Sequence, residues 1–83
     1  MKKSILIIGQ LGSGKTTKMK ELLLTHHTKY VLDGAVSQEQ IESIYSVSQN
    51  ANSFCIVTTQ INESDLSQTL LSKFDIVHCK LSL

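Results

Sequence analysis

The chain contains no proline, no arginine and no tryptophan, and its aromatic residues are confined to Tyr30, Tyr45, Phe54 and Phe74. Each absence excludes something. Without proline, and with 41% hydrophobic against 18% charged residues, the composition is that of a folding globular chain rather than a disordered or collagenous one. Without arginine, the usual source of bidentate phosphate contacts and arginine fingers is missing, so any cationic role falls to lysine. The net charge of +1 is too small for a broad electrostatic footprint on nucleic acid or an anionic membrane, and any polyanion contact must be local. Aromatics spread singly do not form a base-stacking platform for single strands. The two cysteines, Cys55 and Cys79, lie in apolar runs with neither CxxC spacing nor a disulfide-framework pattern, and read as buried thiols.

Long apolar runs are also missing. Ile5 to Ile8, behind Lys2 and Lys3, is far shorter than the roughly 7 to 15 residues of a secretory core or the about 20 of a membrane span. The expectation is a cytoplasmic, reduced protein with no membrane contact, its two leading lysines a solvated arm. A length of 83 residues matches one domain, 1–83, because a compact core needs roughly 50 residues or more.

What is present is an alternation of two hydrophobic periods. Ser4 to Ile8 is continuously apolar after its first residue and runs into a glycine-rich turn, which predicts a central strand buried on both faces. From Lys15 to about His27, Met19, Leu22, Leu23 and His26 recur at helical spacing and predict an amphipathic helix. Tyr30, Val31 and Leu32 form a short strand closed by an Asp33-Gly34 turn. Ser37 and Gln40 form a capping box, and Ile41, Ile44, Tyr45 and Ser48 carry a second helix to about Gln49. Phe54 to Thr59 is a β-branched third strand. Asn62 is a candidate cap for a third helix through Leu66, Leu70 and Leu71 to about Lys73, and Phe74 to Leu81 reads as an edge strand. Strands alternating with helices imply an α/β fold with a parallel sheet and right-handed crossovers.

At the first strand-to-helix junction, Gly9 to Thr16 reads GQLGSGKT, an eight-residue match to GxxxxGK[ST]. The chemistry explains the residue types. Gly9, Gly12 and Gly14 permit backbone angles and close approaches that side chains block, so that successive N–H groups, including those of Gln10, Leu11 and Ser13, can face phosphate oxygens. The helix N-terminus adds its partial positive charge. Lys15 would reach the β- and γ-phosphates, the hydroxyl of Thr16 would ligate Mg²⁺, and Thr17 would touch the α-phosphate.

On these residues the chain resembles a P-loop NTPase, over essentially its whole length and in reduced form. The second strand ends YVLDG and the third ends IVTTQ, and these strings, with the continuation QINESDL, resemble the Walker B and sensor strands of the FtsK and HerA-type additional-strand ATPases. The resemblance implies that Asp33 accepts hydrogen bonds from Mg²⁺-bound water and that Gln60 orients the attacking water or senses the γ-phosphate. It also implies a three-layer core whose four-stranded parallel sheet has the order 2-3-1-4 with three helices. A DNA-linked role in packaging or mobilisation follows from the resemblance alone.

The chain departs from that family in three places. Gly34 follows Asp33 where the family has a catalytic Glu, and Glu39 and Glu63 are only distant substitutes. No arginine is available for a finger, which leaves Lys73 or Lys80 as a point charge. The family's additional strand and helix are missing, since only Thr28 and Lys29 separate the first helix from the second strand. One helix would then face four strands, and the expected consequence is a homo-oligomer through the first-helix face.

The expected activity is therefore Mg²⁺ and ATP binding with slow or partner-dependent ATP hydrolysis, using Lys15, Asp33 and Gln60. A non-hydrolysing nucleotide-binding assembly module is the alternative, and a small-molecule kinase a third reading that lacks room for a lid. ATP is favoured over GTP because no guanine-reading Asn/Thr-Lys-x-Asp string occurs. His26 and His27 read as helix-end residues against the carbonyl dipole. His78 and Cys79 lack the paired spacing of a zinc site, so no metal beyond nucleotide-bound Mg²⁺ is expected.

Overall fold

Alternating strand and helix periods close into one parallel sheet with helices on both faces. A computed structural model describes residues 3–10 and 12–80. Its elements are β1 (Ser4–Gly9), α1 (Lys15–Thr25), β2 (Tyr30–Ala35), α2 (Gln38–Asn50), β3 (Cys55–Thr59), a 3-10 turn (Glu63–Asp65), α3 (Gln68–Leu71) and β4 (Phe74–Cys79). The four strands are parallel in the order β2-β3-β1-β4, which is the topology expected from the sequence. Among the described residues no helix is long and apolar enough to cross a membrane. Lys2, Leu11 and Leu81 lie outside the described residues.

Period-2 alternation in the central strands sorts the core into two layers. Leu6 and Ile8 of β1 and Cys55 and Val57 of β3 face α2 and α3, joined by Ile41, Leu66, Leu70, Leu71 and Phe74. Ile5, Ile7 and Ile56 face α1, which buries Met19 against them. Because α1 crosses over β1 and β3, the outer strands on this face keep only partly buried margins, Val31 on one side and Val77 and Cys79 on the other. Lys3 is not part of a free arm, since its Nζ lies 3.7 Å from Asp75 at the start of β4.

Three boundaries differ from the sequence expectation, each for a local reason. Helix α1 stops at Thr25: His26 has left helical geometry, its backbone N–H donates to the Leu22 carbonyl at 2.7 Å, and its Nδ1 lies 3.2 Å from the same oxygen. The expected third helix is split. Leu66 and Ser67 are extended, the Ser67 hydroxyl caps a new single turn by accepting from the Leu70 N–H at 3.2 Å, and Asn62 makes no side-chain cap. Asp33-Gly34 does not end β2; the strand continues to Ala35 through an irregularity at which Asp33 pairs with Thr58 and Ala35 with Thr59. Helix α2, by contrast, begins behind Ser37 as expected, with Gln40 Oε1 accepting from the Val36 N–H at 2.9 Å.

Cys55 is fully buried, and desolvation raises its thiol pKa, partly opposed by hydrogen bonds from Ser4, Ser48 and its own backbone. The native state therefore holds this proton where the unfolded chain, with a thiol near pKa 8.5, releases it. Stability contributed by the buried thiol is complete below that pH and declines as the pH rises above it. Iodoacetamide at pH 8 is expected to alkylate the partly exposed Cys79 first, with Cys55 following only as fast as the protein unfolds. Equal rates read by peptide mass spectrometry would refute this.

Candidate functional site

The C-terminal ends of parallel strands are where open α/β sheets bind ligands, and here three of those ends converge. β1 runs out at Gly9 into the glycine loop, β2 delivers Asp33 and β3 delivers Thr58, Thr59 and Gln60. The loop's conformation follows from its glycines. Gly12 and Gly14 have φ values of 79° and 86°, in the left-handed region that side chains disfavour. Gly9 is needed for space, since a Cβ there would lie 2.7 Å from the Cys79 carbonyl oxygen.

Gly14 is also the N-cap of α1, and it offers no side chain to the first-turn N–H groups, nor is there an acidic residue in that turn. The helix N-terminus of Lys15, Thr16 and Thr17 therefore has no compensating group within its own first turn. Lys15 folds back across the loop, its Nζ donating to the Gln10 carbonyl at 2.8 Å, which adds a full positive charge over the same backbone.

Asp33 is held by two hydroxyls. Thr16 Oγ1 donates to it, 3.1 Å from Oδ2 and 3.3 Å from Oδ1, and Thr58 Oγ1 donates to Oδ1 at 2.5 Å. The Thr58 oxygen in turn accepts from the Gly34 N–H at 2.7 Å. This explains the irregularity in β2: Gly34 at φ 90° turns its N–H onto the Thr58 hydroxyl, and the bulge aims Asp33 at the start of α1. Thr58 is completely buried, so its hydroxyl must be satisfied, and this arrangement satisfies it as donor and as acceptor. Thr59 repeats the logic one residue on, donating to the Ala35 carbonyl at 2.8 Å and accepting from the Ile61 N–H at 3.1 Å.

The structure brings Asp33 and Thr16 into contact, as the sequence pattern expects, and adds Thr58, which that pattern misses and whose only signal is a hydroxyl inside an otherwise apolar buried strand. A cleft of about 510 Å³ joins these groups, lined by Lys15, Thr16, Asp33, Thr58 and Gln60. Gln60 also lines a smaller cavity of about 250 Å³ with Gly9, Gln10, Asn62 and His78.

The donor set suits a hard cation that arrives with its own oxygen ligands. The hydrogen bond of 3.1 Å from Thr16 Oγ1 to Asp33 Oδ2 sets a hydroxyl beside a carboxylate, so that the hydroxyl could ligate Mg²⁺ while the carboxylate accepts from its bound water. No group of three or more His, Cys, Asp or Glu side chains is gathered among the described residues, so this pair would have to be completed by phosphate oxygens and water.

Two other expectations are resolved by contacts. Glu63, a distant candidate for a catalytic base, has its Oε1 2.6 Å from His78 Nε2, and the pair ties the turn after β3 to the end of β4. Ser13 Oγ is buried without a hydrogen-bond partner among the described residues. An unmatched buried hydroxyl costs about 1–3 kcal/mol, so Ser13→Ala is expected to leave thermal stability equal or raised, and ligand affinity unchanged. A fall in melting temperature would mean that the hydroxyl is satisfied in solution. A scan against protein-family models finds none that matches this chain, and a search of curated proteins finds no match either, so the functional reading rests on the geometry of the site itself.

Proposed function

We propose that this chain is a minimal P-loop protein that binds Mg²⁺ and ATP at the C-terminal edge of its sheet and hydrolyses ATP slowly or with the help of a partner. The observation that carries this reading is the conjunction at the start of α1. An uncapped helix N-terminus, Lys15 over the loop and the Thr16–Asp33 pair lie in one cleft, and together they supply N–H donors, a cation and metal-facing oxygens. Gly9, Gln10, Gly12, Ser13, Gly14, Lys15, Thr16 and Thr17 would wrap the phosphates, with Leu11 assigned to the loop from the sequence. Thr16 and Asp33 would hold the ion, which when bound polarises the phosphoryl oxygens and neutralises developing charge. Gln60, which lines the same cleft, would orient water towards the γ-phosphate.

A non-hydrolysing nucleotide-binding module is favoured by a different observation. Asp33 is the one carboxylate among the described residues lining the cleft, and it is already engaged by two hydroxyls, so no second carboxylate stands by as a general base. The DNA-linked role is carried only by the resemblance of the Asp33 and Gln60 strand ends.

Calorimetric titration with Mg²⁺-ATP and Mg²⁺-GTP, with phosphate release followed in the same samples, tests both readings. Binding with release above that of a Lys15→Ala control supports the ATPase, and binding without release supports the module. Absence of binding to the wild-type chain refutes both.

A further inference from the structure

The sheet has two open edges, and they are built differently. An unpaired strand edge is a template for another strand, and proteins commonly guard it with charge. β4 is guarded: its exposed Asp75 pairs with Lys3 at 3.7 Å, and its exposed His78 pairs with Glu63 at 2.6 Å. β2 is not. Tyr30, Val31 and Leu32 are each only half-buried, and the first charge on the strand, Asp33, is drawn towards Thr16 and Thr58. Beside this edge runs a groove of about 750 Å³ between β2 and α2, whose apolar walls include Leu32, Ile44 and Val47, with Val47 54% exposed.

The groove also carries opposite charges at its two ends. Lys29 precedes the first residue of β2, and Glu39 stands in the first turn of α2, which begins just beyond the last residue of β2. A two-fold axis perpendicular to the sheet would set β2 antiparallel to its own copy and bring the start of one strand against the end of the other. Lys29 would then meet Glu39 of the partner subunit, and the reciprocal pair would form on the other side of the axis.

From this self-complementarity we infer that the β2 edge is a pairing surface for a second copy of this chain, joining the two sheets into one with the two α2 helices on the same face. The partner is a second copy rather than an unrelated extended peptide because the charge pattern closes on itself. The surface differs from the first-helix face, where α1 already buries the middle of the sheet and leaves only narrow margins. Antiparallel pairing also sends the two glycine loops to opposite ends of the joined sheet, so neither copy completes the other's cleft. The dimer therefore forms without nucleotide, and the inference stands or falls separately from the proposed function.

The test is sedimentation equilibrium of the full chain without nucleotide, with amide hydrogen exchange at low and high protein concentration. A dimer is expected, with concentration-dependent protection confined to β2 and the facing side of α2. Lys29→Glu and Glu39→Lys, both at exposed positions, should each weaken it about tenfold, because each reversal turns two attractive pairs into repulsive ones. The double variant should restore it. A monomer up to about 1 mM overturns the inference. So does a dimer whose protection falls on α1 or β4, or a dimer in which the double variant is as weak as the singles.

Discussion

Replacing Lys15 with alanine is expected to weaken Mg²⁺-ATP binding by about 10- to 100-fold, because a charge-assisted hydrogen bond contributes about 1.5–3 kcal/mol. The fold should survive. In the ligand-free chain the Lys15 ammonium bonds the Gln10 carbonyl at the exposed surface of the loop, and no core packing depends on it. Circular dichroism and urea midpoints should therefore match wild type while the calorimetric signal collapses. If affinity changes less than threefold, the lysine does not reach the phosphates and the proposed binding mode is wrong. Lys15→Arg is a useful companion, since it keeps the charge but replaces a compact ammonium with a planar fork too broad for the same cradle.

The second large effect concerns Asp33 and the residue that aims it. Asp33→Asn keeps the shape but removes the charge, and the Mg²⁺-dependent part of ATP affinity is expected to fall about tenfold or more. Affinity for ATP in excess EDTA should stay level or rise, because a carboxylate near phosphate is repulsive when no cation lies between them. That opposite movement separates an ion-holding role from a structural one. Thr58→Val removes the hydroxyl that donates to Asp33 and accepts from Gly34. It leaves the solvent-accessible Gly34 N–H without its protein acceptor, and a loss of about 1 kcal/mol in urea unfolding is expected alongside the same Mg²⁺ defect. Wild-type stability together with wild-type Mg²⁺ dependence in Thr58→Val would show that the bulge in β2 positions Asp33 without it.

These two experiments divide along what was legible in the sequence. The GQLGSGKT string between an apolar run and an amphipathic helix identifies the glycine loop because each of its demands is local: positive φ at Gly12 and Gly14, space at Gly9 and a helix start at Lys15. Helix α2 was legible for the same reason, with its Ser37 cap and its buried Ile41 and Ser48 spaced by the helical repeat. The split of the third helix was not. Leu66, Leu70 and Leu71 keep helical spacing and all reach the core, yet Ser67 caps a separate turn and its N–H donates to Gln38 Oε1 at 2.9 Å, a partner 29 residues away.

The site shows the same division more sharply. Asp33 could be read from the end of an apolar strand, but Asp-Gly is also an ordinary turn, and local pattern cannot distinguish a turn from a bulge. The neighbouring strand decides it, by placing the Thr58 hydroxyl where it takes the Gly34 N–H and holds the carboxylate. Likewise Glu63 and His78 are unremarkable in the chain and meet only because the turn after β3 folds across the end of β4.

By itself, then, the sequence determined the alternation of strand and helix and the glycine loop, since these depend on backbone sterics and on periodicities that act within a few residues. Only the tertiary structure decided where Asp33 points, what satisfies Thr58 and which sheet edge stays unguarded. Those outcomes rest on hydrogen bonds and burial between strands that are distant in the chain, and no local pattern encodes them.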